Sequence, residues 1–297
     1  MARRGPDWAE WVDRLPALLA GLLEDWELGV DGWMMHGFVA LVVPVRTTGG
    51  RAAVLKVSFP DEESEHEHLA LQHWGGTGAV KLLRADPHRA AMLLERLHQE
   101  RLDEMLDVEA CAVVAGLYSL LHVPALPQLR PLTAYVERWA DELAMLPRNA
   151  PLPRRLVEQA ISLSRDFVAD PGSTGTMIHG DLHYENVMAA DRVPWLAIDP
   201  KPTSGDPHYE PAPMLWNRFD ELGAANSGQS VRDGVRQRFH ALVDNAGLDE
   251  ARARDWVVVR MLNNACWRLQ DPPEVKRLTV TDEYLTMCIA VAKAVQD

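Results

Sequence analysis

The sequence predicts an α+β fold, a strand-rich first third followed by a helical remainder, on three observations. Between Trp33 and Leu97 the apolar residues run at strand spacing, interrupted by one helix. From Leu102 onward they recur three and four residues apart. The 297 residues contain no internal repeat, no low-complexity run and no linker long enough to isolate a domain. Segments 1–97 and 98–297 are each long enough to bury a core of their own.

A first helix is expected from Asp7 to Trp26, where Trp8, Trp11, Leu15, Leu18, Leu19 and Leu22 fall at helical spacing and Pro16 marks a kink. Strand spacing then takes over at Phe38, Val39, Leu41, Val42, Val43 and Val45, turns at Thr47 to Gly50, and returns from Ala52 to Val57. Lys56 lies within that second run. On an interior strand such a lysine needs a partner, because an unpaired buried ammonium is costly; on an edge strand it would face water. The stretch SFPDEESEHEHLALQHW predicts a helix opening at Pro60 and its acidic first turn, with Glu63 and Glu67 on one face. His66, His68 and His73 do not gather on a face and read as exposed side chains rather than metal ligands. VKLLRADPHRAAMLLERL reads as a strand pair turning at Ala85 to His88. Helices follow at Leu102 to His122, Thr133 to Leu146 and Arg154 to Val168, then at Val231 to Asn245, Asp249 to Leu269 and Thr279 to Val295.

At 47% apolar and 25% charged, the composition is that of soluble globular protein. No run of about 18 apolar residues exists, and MARRGPDW lacks the apolar core of a signal peptide, so a cytoplasmic protein is expected. Cys111, Cys266 and Cys288 are too far apart for a zinc pattern and suit packing in a reducing compartment. The net charge of −13 divides as −4 and −9 on the two sides of Leu97. That acidity argues against nucleic acid and for a small cationic substrate. A monomer or weak dimer is expected.

The chemistry concentrates between Thr176 and Lys201. Asp181 is followed at the fifth position by Asn186, and Asp199 ends an apolar run. Val187 to Ala189 and Trp195 to Ile198 are short apolar runs around a turn carrying Asp191 and Pro194, which predicts a hairpin with Asn186 and Asp199 at its open ends. One carboxylate beside a hydroxyl, with an amide and a second carboxylate to grip Mg²⁺, is what phosphoryl transfer requires. His179 and His183 read as loop-holding residues. A rival reading joins them with Asp181 as the metal cluster of a hydrolase. Beyond Lys201, Asp206, Glu210 and Asp220 are interleaved with Trp216 and Asn217 and suggest a wall for a cationic, ring-bearing substrate. Asp206, before Pro207, equally suits a helix cap.

HGDLHYEN followed by IDP resembles the aminoglycoside phosphotransferase family, and IDPKPTSGDPHYEPAPMLWNR resembles its branch that phosphorylates streptomycin and hydroxyurea. The resemblance implies a protein-kinase-like two-lobed fold, with a small β-rich lobe over 1–97 ending at a hinge and a larger helical lobe over 98–297. It implies ATP-dependent phosphorylation of a hydroxyl, streptomycin first, with hydroxyurea or another small metabolite as the alternative. A non-catalytic nucleotide-binding module stands further off. By the same resemblance, Asp181 orients and deprotonates the acceptor, and Asn186 and Asp199 hold Mg²⁺. Lys56 reaches the phosphates with Glu67 as its ion-pair partner, and the Glu95 carbonyl and Leu97 N–H hold adenine. The lid near Met35, His36 and Gly37 has one glycine where protein kinases have three, which leaves ATP and GTP both open.

Overall fold

Strands dominate the first part of the chain because its β-branched and apolar residues suit a pleated surface, with Ala52–Ser58 and Ala91–Glu95 covered on both faces. The computed structural model describes residues 6–37, 39–222, 230–270 and 281–296. The chain packs as two compact units, Met1–Gln99 with Met188–Lys201, and Glu100–Val187 with Pro202–Asp297. The segment 188–201 thus packs with the first third of the chain, not with the helices that flank it in sequence.

In the first unit, α1 (Pro6–Asp25) continues unbroken through Pro16. Strands β1 (Leu28–Val30), β2 (Met35–His36), β3 (Ala40–Thr47), β4 (Ala52–Ser58), β5 (Leu82–Asp86) and β6 (Ala91–Glu95) form one sheet in the order β1-β3-β4-β6-β5, with β2 also on β3. Its pairings are antiparallel. Leu19 and Leu22 of α1, with Trp26 just beyond its end, close over Val43, Val45, Leu55, Val57 and Leu93 to make the core. The expected strand residue Phe38 lies outside the described residues.

One expected helix starts late. Asp61 accepts from both the N–H and the hydroxyl of Ser64, at 2.7 and 2.8 Å, and closes a turn there. The acidic run is therefore turn rather than helical first turn, and α2 covers only Glu67–Trp74. Glu63 is not on a shared helical face with Glu67. The hairpin of β9 (Val187–Ala189) and β10 (Trp195–Ala197) forms as expected. It seats on segment 78–80 through Ala197 N–H to the Gly78 carbonyl (2.9 Å) and Val80 N–H to the Ala197 carbonyl (2.8 Å).

The second unit contains α3 (Asp107–Leu121), α4 (Leu132–Ala144), α5 (Arg154–Ala169), α6 (Ala212–Trp216), α7 (Val231–Ala246), α8 (Glu250–Gln270) and α9 (Thr281–Ala294). The expected start of the last helix at Thr279 lies outside the described residues. A small sheet of β7 (Val123–Pro124), β8 (Thr176–Ile178) and β11 (Thr203–Gly205), ordered β11-β8-β7, carries the chain into the loop that holds Asp181. The core packs Tyr135, Val136 and Trp139 of α4 with Phe167, Ile178, Tyr209, Trp256 and Val259. Phe167 and Trp256 stack with ring centroids 3.8 Å apart. Among the described residues no helix is long and apolar enough to cross a membrane.

Candidate active site

In the first unit, β4 is flanked by β3 and β6, so Lys56 sits on an interior strand and is only 7% exposed. Its Nζ lies 2.6 and 2.7 Å from the two carboxylate oxygens of Glu67 and 2.6 Å from Oδ1 of Asp199. α2 supplies Glu67, itself 1% exposed, and the hairpin delivers Asp199. Burial alone would favour the neutral amine; Asp199 and Glu67 outweigh it and hold Lys56 above the ordinary lysine range. Burial raises Glu67, and the Asp199 charge adds to that while Lys56 opposes it. Lys201 brings a second ammonium, which burial would lower and Asp199 raises. Asp199 adopts a left-handed backbone (φ 56°). Aspartate tolerates that conformation better than most residues, and the bend turns its carboxylate onto Lys56.

Glu95 ends β6, and Leu97 follows it half-buried. The Glu95 carboxylate is gripped by Arg192 from the hairpin turn, with contacts of 3.1, 3.1 and 2.8 Å, and Arg192 also donates to the Ala79 carbonyl at 2.8 Å. Arg192 clips the metal-candidate hairpin to the end of the strand that leads to Leu97. Turn chemistry in the sequence points only to its neighbours Asp191 and Pro194.

In the second unit, β8 ends at Ile178 and the chain turns at Gly180, whose φ of 80° is one that glycine adopts without strain. Asp181 follows, half-buried, on a loop that closes on itself. Asn186 donates from its side-chain nitrogen to the Asp181 carbonyl at 2.9 Å and lies 3.1 Å from His183 Nε2. The five-residue spacing thus has a local physical cause. It commits the amide nitrogen inward and leaves the amide oxygen as the group that can serve a hard cation. An amide oxygen such as that of Asn186 is a donor that Mg²⁺ takes, and so, in the first unit, is a carboxylate such as that of Asp199. His179 Nδ1 accepts the Asp181 N–H at 3.3 Å, and His183 Nδ1 accepts the Glu185 N–H at 3.4 Å. Both histidines hold the loop. Among the described residues no group of three or more His, Cys, Asp or Glu could hold a metal ion, which removes the hydrolase cluster and the His66, His68 and His73 set alike. Of those three, only His73 is exposed.

The expected substrate wall is largely committed elsewhere. Asp206 is 1% exposed. Its Oδ1 accepts the His208 N–H at 3.0 Å and lies 2.6 Å from His208 Nδ1, while Oδ2 accepts from Arg252 Nε at 2.5 Å and Trp256 Nε1 at 2.7 Å. With both oxygens taken, Asp206 is a cap and a core hub, not a substrate contact. Glu210 is also 1% exposed, and its Oε1 accepts the Gly180 N–H at 2.6 Å. Its Oε2 lies 3.6 Å from His122 Nε2. Burial would raise the Glu210 carboxyl, but the His122 ring, His179 and the Gly180 N–H together hold it below the usual range. Glu210 therefore supports the loop from behind and does not face a substrate. Asn217 donates to the Pro213 carbonyl at 2.9 Å and caps α6. Trp216 is half-buried beneath the Arg260 guanidinium, 5.6 Å from its ring centroid, and Asp220 is exposed. No local pattern singles out His122, because its partner is far away in sequence.

A family model for aminoglycoside/hydroxyurea antibiotic resistance kinases matches residues 25–272. The streptomycin 6-kinase of Streptomyces glaucescens is 41% identical over 272 residues, which span 90% of this chain and 87% of that protein. The hydroxyurea phosphotransferase of Kitasatospora aureofaciens is 40% identical over 271 residues, spanning 88% and 75%. Among solved structures, a thermostable mutant of the aminoglycoside phosphotransferase APH(4)-Ia, in ternary complex with ADP and hygromycin B, aligns with a TM-score of 0.61 at 15% identity, covering 93% of this chain and 97% of that one. At such identity the likeness speaks for the fold, which is protein-kinase-like. The family match takes in the lysine and its two carboxylates as well as the whole Asp181 to Asn186 loop, so the chain belongs to the aminoglycoside/hydroxyurea antibiotic resistance kinases and is a phosphotransferase.

Proposed function

We propose that this enzyme transfers the γ-phosphoryl group of ATP to a hydroxyl of streptomycin and so inactivates the antibiotic. The observation that carries the acceptor is the 41% identity to a streptomycin 6-kinase over 272 residues. Hydroxyurea is the second reading, favoured by the 40% identity to a hydroxyurea phosphotransferase. GTP stays open beside ATP as donor. The three described cysteines are free and buried, which suits a reducing compartment, and we place the enzyme in the cytoplasm as a monomer or weak dimer.

Each residue has a role in this reading. Lys56, kept charged by Asp199 and Glu67, contacts the nucleotide phosphates, while the Glu95 carbonyl and Leu97 N–H hold the base. Asn186 and Asp199 hold Mg²⁺, which when bound neutralises charge on the transferred group. Asp181 orients the acceptor hydroxyl and takes its proton late, as the new O–P bond forms and the bond to ADP breaks. Trp216, Asn217 and Asp220 are left as acceptor-side contacts.

A coupled ADP-release assay with Mg²⁺-ATP against streptomycin, hydroxyurea, other aminoglycosides and choline tests the reading. Turnover is expected with streptomycin, and Asp181→Ala is expected to lose at least about a hundredfold while still gaining thermal stability from Mg²⁺-nucleotide. ADP release on no acceptor, with nucleotide still raising Tm, would discard the antibiotic kinase in favour of another acceptor or a binding module.

A further inference from the structure

Tyr184 lies inside the catalytic loop, between Asp181 and Asn186, and is fully buried. Its phenol donates to Asp107 Oδ1 at 2.9 Å, at the first residue of α3. Two guanidiniums flank the ring, Arg218 at 4.8 Å and Arg238 at 5.4 Å from its centroid. Arg238, 1% exposed, donates Nε to Asp107 Oδ2 at 2.7 Å. The same guanidinium donates to the main-chain carbonyls of Asn217 (2.7 Å), Arg218 (3.3 Å) and Met214 (3.4 Å). One buried cation therefore holds the carboxylate that anchors the loop and the backbone of segment 214–218.

We propose that Tyr184 is a positioning residue: through its phenol the Asp107–Arg238 pair ties the Asp181–Asn186 loop and segment 214–218 to one anchor, and so sets where Asn186 presents its oxygen. The proposal rests on the reading that Asp181 and Asn186 carry the chemistry. Asn186 is two residues beyond Tyr184, in the same 3₁₀ turn (Tyr184–Asn186), so movement of the ring is passed to it directly. Segment 214–218 includes Trp216 and Asn217, two of the acceptor-side candidates. Loss of the phenol contact should therefore disturb nucleotide and acceptor handling together.

The test compares Tyr184→Phe, Asp107→Asn and Asp181→Ala in the full chain, measuring turnover and the rise in Tm on adding Mg²⁺-ADP. Tyr184→Phe keeps the ring between its guanidiniums and removes one hydrogen bond to a charged acceptor. It is expected to lower turnover about tenfold and to shrink the Mg²⁺-ADP-induced rise in Tm. Asp107→Asn keeps an oxygen for the phenol but loosens Arg238, and should move both readouts in the same direction. A purely structural role would lower the Tm of the free protein and leave turnover and the ligand-induced rise unchanged. If Tyr184→Phe stays within about twofold of wild type with a full Mg²⁺-ADP effect while Asp181→Ala is inactive, the anchor is overturned and the catalytic reading stands. If Tyr184→Phe does not fold, Asp107→Asn is judged by the same two criteria. Turnover by Asp181→Ala near the wild-type rate would overturn the catalytic reading and this proposal with it.

Discussion

Asp206 is the residue whose environment most changes its meaning. A carboxylate before a proline suits a cap and a ligand equally, and nothing within the nearby sequence chooses between them. Its partners Arg252 and Trp256 come from α8, so only packing identifies it as a buried hub. Burial would raise its carboxyl, but His208, Trp256 and Arg252 hold it below the ordinary range. A depressed native pKa stabilises above the unfolded value of about 3.9 and is lost as pH falls through the native one. Asp206→Asn is expected to cost about 3 kcal/mol at pH 7 by denaturant unfolding, because it removes the charge on which Arg252, Trp256 and His208 converge. Between about pH 5 and 2 the variant should show a shallower loss of stability than wild type; an equal slope would show that Asp206 is not the group responsible. Lys56 contributes with the opposite sign. Its native pKa is raised, so its stabilisation is complete below about pH 10.4 and fades only as pH climbs through the native value. Lys56 was legible in advance, since one charged residue in an apolar strand has few explanations.

At the scale of elements, most helices and strands follow from periodicity, and the exceptions have local causes. The turn closed by Asp61 delays α2 to Glu67, because a side-chain acceptor three residues before Ser64 competes with the helical start. β11 is a different case, with TSG carrying little strand propensity. It pairs with β8 because the chain must pass close there, and Gly205 is what permits the approach. A methyl group at Gly205 would overlap Ile178 and lie 3.4 Å from a Leu132 methyl. Gly205→Ala is therefore expected to cost about 1–3 kcal/mol through overpacking, read as a fall in the denaturant midpoint at unchanged m. Adding Ile178→Val should recover part of the loss. Independent, additive effects of the two substitutions would show that the overlap is not the cause.

For the whole molecule, the −13 net charge bears on encounter rather than on fold. A cationic acceptor should be drawn to this surface, and salt should screen the attraction. Raising ionic strength from about 0.05 to 0.5 M is expected to lower kcat/KM for streptomycin several-fold with kcat nearly constant. A salt-independent kcat/KM would mean that the charge serves solubility alone. The chain passes from one unit to the other after Gln99, after Val187 and after Lys201, so residues 188–201 return to the first unit. No composition shift marks that return, since the hairpin reads like any other short strand pair. Its place is set by main-chain hydrogen bonds to segment 78–80 and by Arg192 on Glu95.

By itself the sequence determined the α+β class, the kinase resemblance and Lys56 with its carboxylate on the following helix, and it singled out Asp181, Asn186 and Asp199 as candidates. These rest on local spacing or on one charge in an apolar run, and both are properties of neighbours along the chain. Tertiary structure alone decided that Asp199 joins Glu67 on Lys56, that Asp206 and Glu210 are buried supports, and that Tyr184 is anchored to Asp107 and Arg238. Each of those depends on partners between 30 and 143 residues apart. A buried charge selects its partner by proximity in the folded core, where desolvation makes an unpaired group costly, and spacing along the chain carries no record of that choice.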